Sequence, residues 1–107
     1  MAVVIEAVPV EQGARSGRQV KRFDQPEITI GRSPGSDVVL ESDSVSRRHA
    51  RIVVEPDRFV LVDASENGSS INGEHGWGER GFREGDDVRV GPYRLIVRRM
   101  PFAVTTR

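Results

Sequence analysis

The stretch Ser46–Gly73, SRRHARIVVEPDRFVLVDASENGSSING, decides the fold of this chain. Ala50, Ile52 and Val54 fall at alternate positions, so they share one face of an extended segment while Arg51 and Val53 take the other. Pro56-Asp57 then supplies a turn, and Phe59 to Val62 resumes as a second apolar run. Two Asn-Gly pairs follow, Asn67-Gly68 and Asn72-Gly73, and Asn-Gly is a strong hairpin signal because both residues tolerate positive φ. Period-two runs separated by turn chemistry are the pattern of short strands.

Outward from this stretch the same pattern repeats. Ala2 to Val10 is rich in valine and isoleucine, and Gln12 to Gly17 carries turn residues. Val20 to Phe23 and Ile28 to Ile30 alternate, Val88 to Val90 runs into Gly91-Pro92, and Tyr93, Leu95 and Val97 share a face. No window of helical length keeps a 3.6-residue stripe free of Gly and Pro. The expected fold is therefore all-β, an antiparallel sandwich or barrel. Glu74 to Phe82 (EHGWGERGF), punctuated by three glycines, reads as a surface loop carrying Trp77. Residues 101–107 read as a flexible tail. With no internal repeat or linker, residues 1–107 read as one domain.

A chain of 107 residues can bury about 65% of its unfolded surface, enough for its own core. Its 16 basic residues balance 16 acidic ones, so there is no global field of the kind that draws nucleic acid or membrane surfaces. The absence of cysteine excludes disulfides and thiolate metal sites. No apolar run is long enough to cross a bilayer, and no basic stretch precedes the first apolar one, so a cytoplasmic location without membrane insertion is expected. Neither a cofactor nor a metal is expected.

Polar residues gather where apolar runs stop. Gly31-Arg32 follows Ile28–Ile30, with a glycine that lets the backbone approach a ligand and an arginine whose planar fork suits phosphate or carboxylate. Ser46-Arg47-Arg48-His49 offers a hydroxyl and two guanidinium groups. On an extended chain Arg47 and Arg48 would face opposite ways, so only one could serve a common ligand. A hydrolase built on Ser46, His49 and Asp63 lacks nucleophile-elbow spacing, and His49 fits better as a loop-fixing residue. No catalytic residue is assigned, and no enzyme is expected. The Asn67 amide both donates and accepts, as holding a peptide backbone requires.

Taken together and in order, Gly31-Arg32, Ser46-Arg47-Arg48-His49 and Ser65-Glu66-Asn67-Gly68-Ser69-Ser70-Ile71-Asn72-Gly73 resemble the forkhead-associated (FHA) domain family. Glu84 to Gly91 (EGDDVRVG) looks like a further segment of the family pattern, and the match spans about residues 28–97. The resemblance implies a β-sandwich of about eleven short strands with ligand-binding loops at one end. It implies a phosphothreonine-binding module whose partner is a protein phosphorylated by a Ser/Thr kinase. Arg32 and Ser46 would bond the phosphate, Arg47 would add a contact, and Asn67 would bond the peptide main chain. His49 would be architectural, and Gly31, Gly68, Asn72 and Gly73 would shape turns. Ser44 occupies a position that in some members selects the third residue after the phosphothreonine. Glu66 stands where binders commonly carry threonine or serine, and a carboxylate aimed inward there would repel a dianion. That departure keeps open a second reading, a phosphorylation-independent interaction or oligomerisation module of the same fold. The resemblance also allows other domains in a larger parent protein, and the weight of Arg and Val points to a bacterial source.

Overall fold

A computed structural model describes residues 2–100. Among them there is no helix, and eleven strands build two sheets. In chain order they are β1 (Val3–Pro9), β2 (Gln19–Phe23), β3 (Glu27–Gly31), β4 (Val38–Val39), β5 (Ala50–Val54) and β6 (Phe59–Asp63). They continue as β7 (Ser69–Ile71), β8 (Glu74–Gly76), β9 (Gly78–Phe82), β10 (Val88–Val90) and β11 (Tyr93–Arg99). One sheet runs β2-β1-β11-β10-β7-β8 and the other β4-β3-β5-β6-β9. Pairing is antiparallel throughout except for β3 and β4, which run parallel with Ile30 opposite Val38.

Alternation drives the packing. In β1 the odd positions Val3, Ile5 and Ala7 are buried, and in β11 Tyr93, Leu95 and Val97. From the other sheet Ile28, Ile30, Ile52, Phe59 and Leu61 meet them in one continuous core. Each fully buried aliphatic side chain of this kind contributes roughly 1.5–3 kcal/mol. Tyr93 is fully buried, and its hydroxyl accepts from the Ser16 amide at 3.0 Å and donates to the Glu41 carbonyl at 3.1 Å. Its ring thus fills the core while its polar tip ties the β1–β2 loop to the β4–β5 segment.

The expectation of a loop over Glu74–Phe82 is corrected: the segment forms β8 and β9, with Trp77 exposed between them. β9 pairs with β6 along its whole length, from Phe59 opposite Phe82 to Asp63 opposite Gly78. Its glycines hid it because only Phe82 buries an apolar side chain. Asn72 (φ 52°) and Gly73 (φ 85°) make the tight turn of the β7–β8 hairpin, as the Asn-Gly pair predicts. The tail expected at residues 101–107 lies outside the described residues.

Candidate functional site

Backbone hydrogen bonds lock three loops together at one end of the sandwich. The amides of Arg32 and Ser33, just past β3, donate to the carbonyls of Ser46 and Arg47 at 3.0 and 3.1 Å. The Ala64 amide, just past β6, donates to the His49 carbonyl at 3.2 Å. Gly31 permits this approach, since a Cβ there would stand 2.0 Å from the Arg47 carbonyl oxygen. Arg47 and Arg48 occupy a turn, and the strand begins only at Ala50.

The junction encloses an open depression of 430 Å³ whose lining includes Arg32, Ser46, Arg47, Glu66, Asn67 and Asp43. Arg32 is half-buried, and its Nε donates to the Val45 carbonyl at 3.0 Å. That bond orients the guanidinium and leaves both terminal nitrogens without a hydrogen-bond partner among the described residues. Ser46 Oγ accepts from the Glu66 amide at 3.1 Å, so its own proton remains available for a ligand oxygen. Arg47 is exposed and has no carboxylate partner among the described residues. Asn67 Nδ2 donates to the Ser44 carbonyl at 3.1 Å, which braces two loops while the amide keeps an oxygen and a second hydrogen free. Ser44 itself lines a neighbouring depression of 290 Å³, with Asn67 and Arg89. Arg48 lines a third, so the two consecutive arginines do serve different places, through a turn rather than through strand alternation.

Beneath the loops lies a buried polar network. His49 is 0% exposed. Its Nδ1 accepts from the Ser46 amide at 3.0 Å and its Nε2 donates to the Gly68 carbonyl at 2.9 Å, an arrangement that requires the neutral Nε2–H tautomer. Burial pushes the imidazole below its usual pKa, against the Gly68 bond and the Asp63 carboxylate, which both act to raise it. Asp63 in turn accepts from Ser69 Oγ and from the Ser65 amide, the latter at 2.9 Å. The Gly68 amide donates to Ser65 Oγ at 2.8 Å, closing the circuit. Gly68, at φ 77°, is wedged so tightly that a Cβ would meet His75 Nε2 at 2.7 Å and the Trp77 ring at 3.0 Å. Because His49 is buried and holds the Ser46 backbone rather than its hydroxyl, Ser46, His49 and Asp63 do not form a nucleophile relay.

Two contributors escaped the sequence reading. Asp43 joins the lining of the depression, its charge matched by Arg15 at 3.1 Å. The only available signal was its place three residues before Ser46. Trp77 Nε1 donates to the Ser65 carbonyl at 3.0 Å and so holds the loop before Asn67 from outside. Nothing local to residues 64–68 announces that tether.

The FHA domain family pattern matches residues 28–91. The chain is 36% identical over 88 residues to an oxoglutarate dehydrogenase inhibitor of Corynebacterium efficiens, covering 81% of this chain and 61% of that protein. It is 38% identical over 88 residues to the glycogen accumulation regulator GarA of Mycolicibacterium smegmatis, covering 81% and 54% respectively. The chain thus spans about half to three fifths of the curated relatives it matches. A solved FHA domain studied for phosphothreonine-dependent interactions superposes with a TM-score of 0.76 at 27% identity, covering 95% of this chain and 100% of that one. The chain belongs to the FHA domain family.

Proposed function

We propose that this chain is a phosphothreonine-reading module that docks a kinase-phosphorylated protein segment without chemically changing it. One observation carries the reading: Arg32 with free terminal nitrogens, Ser46 with a free hydroxyl proton, and Arg47 line a single depression. A phosphate monoester carries about −1.5 to −2 charges near neutral pH and accepts charge-assisted bonds from such donors. Asn67, at the edge of the depression, would hold the main chain of the bound segment. His49 fixes the Ser46 amide, so the donors are set before the ligand arrives. The solved FHA domain with phosphothreonine-dependent interactions supports this reading by likeness of fold. A cytoplasmic setting suits it, because Ser/Thr kinases act there on ATP. Residues 1–107 would form one domain, with its motif core at about 28–97, beside other domains of a larger regulatory protein.

Two carboxylates in the same lining, Glu66 and Asp43, favour the alternative of docking without phosphate. Calorimetric titration with phosphothreonine, phosphoserine and unmodified versions of one peptide separates the two. The phosphothreonine form should bind, and the unmodified form should not. Arg32→Ala or Ser46→Ala should weaken binding at least about tenfold, the loss of one charge-assisted bond, with the unfolding midpoint preserved. Equal binding of phosphorylated and unmodified peptides would establish the alternative.

A further inference from the structure

Next to the phosphate depression lies a groove of 440 Å³ with a mostly apolar lining. It opens on the outer face of the sheet, where Thr29, Arg51 and Val62 stand side by side across β3, β5 and β6. Val62 and Ala64 give it an apolar wall, Ala50 lines its floor from the core side, and Ser33 and Ser36 border it from the β3–β4 loop. Ala64 also lines the phosphate depression, so the two spaces adjoin. Their rims carry consecutive cations, Arg47 in one and Arg48 in the other. Charge distinguishes the arginines of this groove. Arg51 is matched by Glu27 at 2.9 Å, whereas Arg48 is exposed and has no carboxylate partner among the described residues. A guanidinium without a carboxylate partner lining an apolar groove, beside an anion site, fits an acidic residue next to an apolar one.

We propose that this groove is a second subsite for the same phosphorylated segment, taking an acidic side chain at Arg48 and an apolar side chain against Val62 and Ala64. The inference rests on the phosphothreonine reading and extends it. The phosphate would gate docking, and the groove would choose among phosphorylated partners by their flanks. An extended chain advances about 3.3 Å per residue, so a flank of a few residues reaches from one space into the other.

The test uses the full chain and three synthetic peptides. One has phosphothreonine flanked only by alanine, and the others carry a Glu-Glu-Leu-Leu block before or after the phosphothreonine. One of the two blocks should tighten binding by about five- to twentyfold over the alanine peptide. Amide resonances of Ala50, Arg51 and Val62 should shift with that peptide and not with the alanine one. Arg48→Ala should abolish the gain while holding alanine-peptide affinity within about twofold. Val62→Thr, a change on the outer face, should reduce the gain independently. Binding of both block peptides at the alanine level, or a gain that survives Arg48→Ala, would overturn the subsite and leave the phosphothreonine reading standing. Groove resonances that move with protein concentration in the absence of peptide would assign the groove to a second copy and overturn it. Absence of binding by every phosphothreonine peptide would overturn the primary reading, and the subsite with it.

Discussion

Glu66 contributes opposing things to the site through two of its groups. Its amide orients the Ser46 hydroxyl, while its side chain is exposed at the lining of the depression and forms no ion pair among the described residues. Only the second would work against a dianion, and solvent screening limits the effect at an exposed position. Glu66→Gln keeps the amide and removes the charge, so phosphopeptide affinity should rise roughly two- to fivefold, the effect of one screened charge pair. Titration of the variant against the same peptide checks this, and an unchanged or weaker affinity would show that the carboxylate does not face the ligand. His49 presents a different balance. Its pKa is lowered in the folded chain, so on acidification the unfolded chain takes up the proton first. Stability is therefore full above the ordinary imidazole value of about 6.5 and declines as pH falls toward the depressed folded value. The slope is at most about 1.4 kcal/mol per pH unit. Protonation would also remove the acceptor that holds the Ser46 amide. Urea unfolding between about pH 7.5 and about pH 5 should show the decline, and His49→Gln should flatten it. A wild-type midpoint constant across that range would contradict the assignment.

The β7–β8 hairpin illustrates how an element can be real and yet poorly legible. Its strands have three residues each, Ser-Ser-Ile and Glu-His-Gly, too polar to announce themselves. Arg80 of β9 holds the hairpin from across the sandwich, donating to the carbonyls of Ser69 and Gly76 at 2.9 Å each and of Glu74 at 3.0 Å. Arg80→Met keeps the aliphatic stem but leaves those carbonyls without their donor, which should destabilise the chain by about 2–4 kcal/mol. Denaturant unfolding measures the loss, and amide exchange should speed up in β7 and β8 first. A variant as stable as the parent would show that water replaces the guanidinium without penalty. The same physics explains what the sequence could tell. β1, β3, β5, β6, β10 and β11 were legible because apolar residues recur every second position against one core. β4 has two residues and no period to read, and β9 is glycine-rich with Phe82 as its apolar anchor. At the site, Arg32, Ser46, Arg47, Glu66 and Asn67 stood out as motifs, since each sits where an apolar run ends. Asp43, Trp77 and the Asp63 hub were not, because their roles arise only from chain crossings.

Across the whole molecule, the sandwich separates a closed end from an open one. At the closed end Arg99 of β11 donates to the carbonyls of Glu55 and Arg58, and its guanidinium lies 4.6 Å from the centre of the Phe59 ring. Phe59 in turn packs on Phe82 at 5.3 Å. At the open end the loops are joined by hydrogen bonds and leave Arg32, Arg47 and Arg48 without carboxylate partners among the described residues. Several cations elsewhere are matched, as in Arg51 with Glu27, Arg58 with Glu55, and Arg89 and Arg94 with Asp87. A net charge of zero therefore conceals a local positive end. Stability rests on the apolar core, whereas the proposed ligand capture would rest on exposed charge, and salt acts on the two differently. Raising sodium chloride from about 0.05 to about 0.5 M shortens the screening length from about 14 to about 4 Å. Phosphopeptide affinity should then fall by about three- to tenfold, while the unfolding midpoint of the free chain moves by no more than about two degrees. Parallel calorimetric and thermal-melt series make the comparison. A midpoint that drops in step with affinity would mean that the surface ion pairs hold the fold, and a salt-independent affinity would mean that docking is governed by apolar contact.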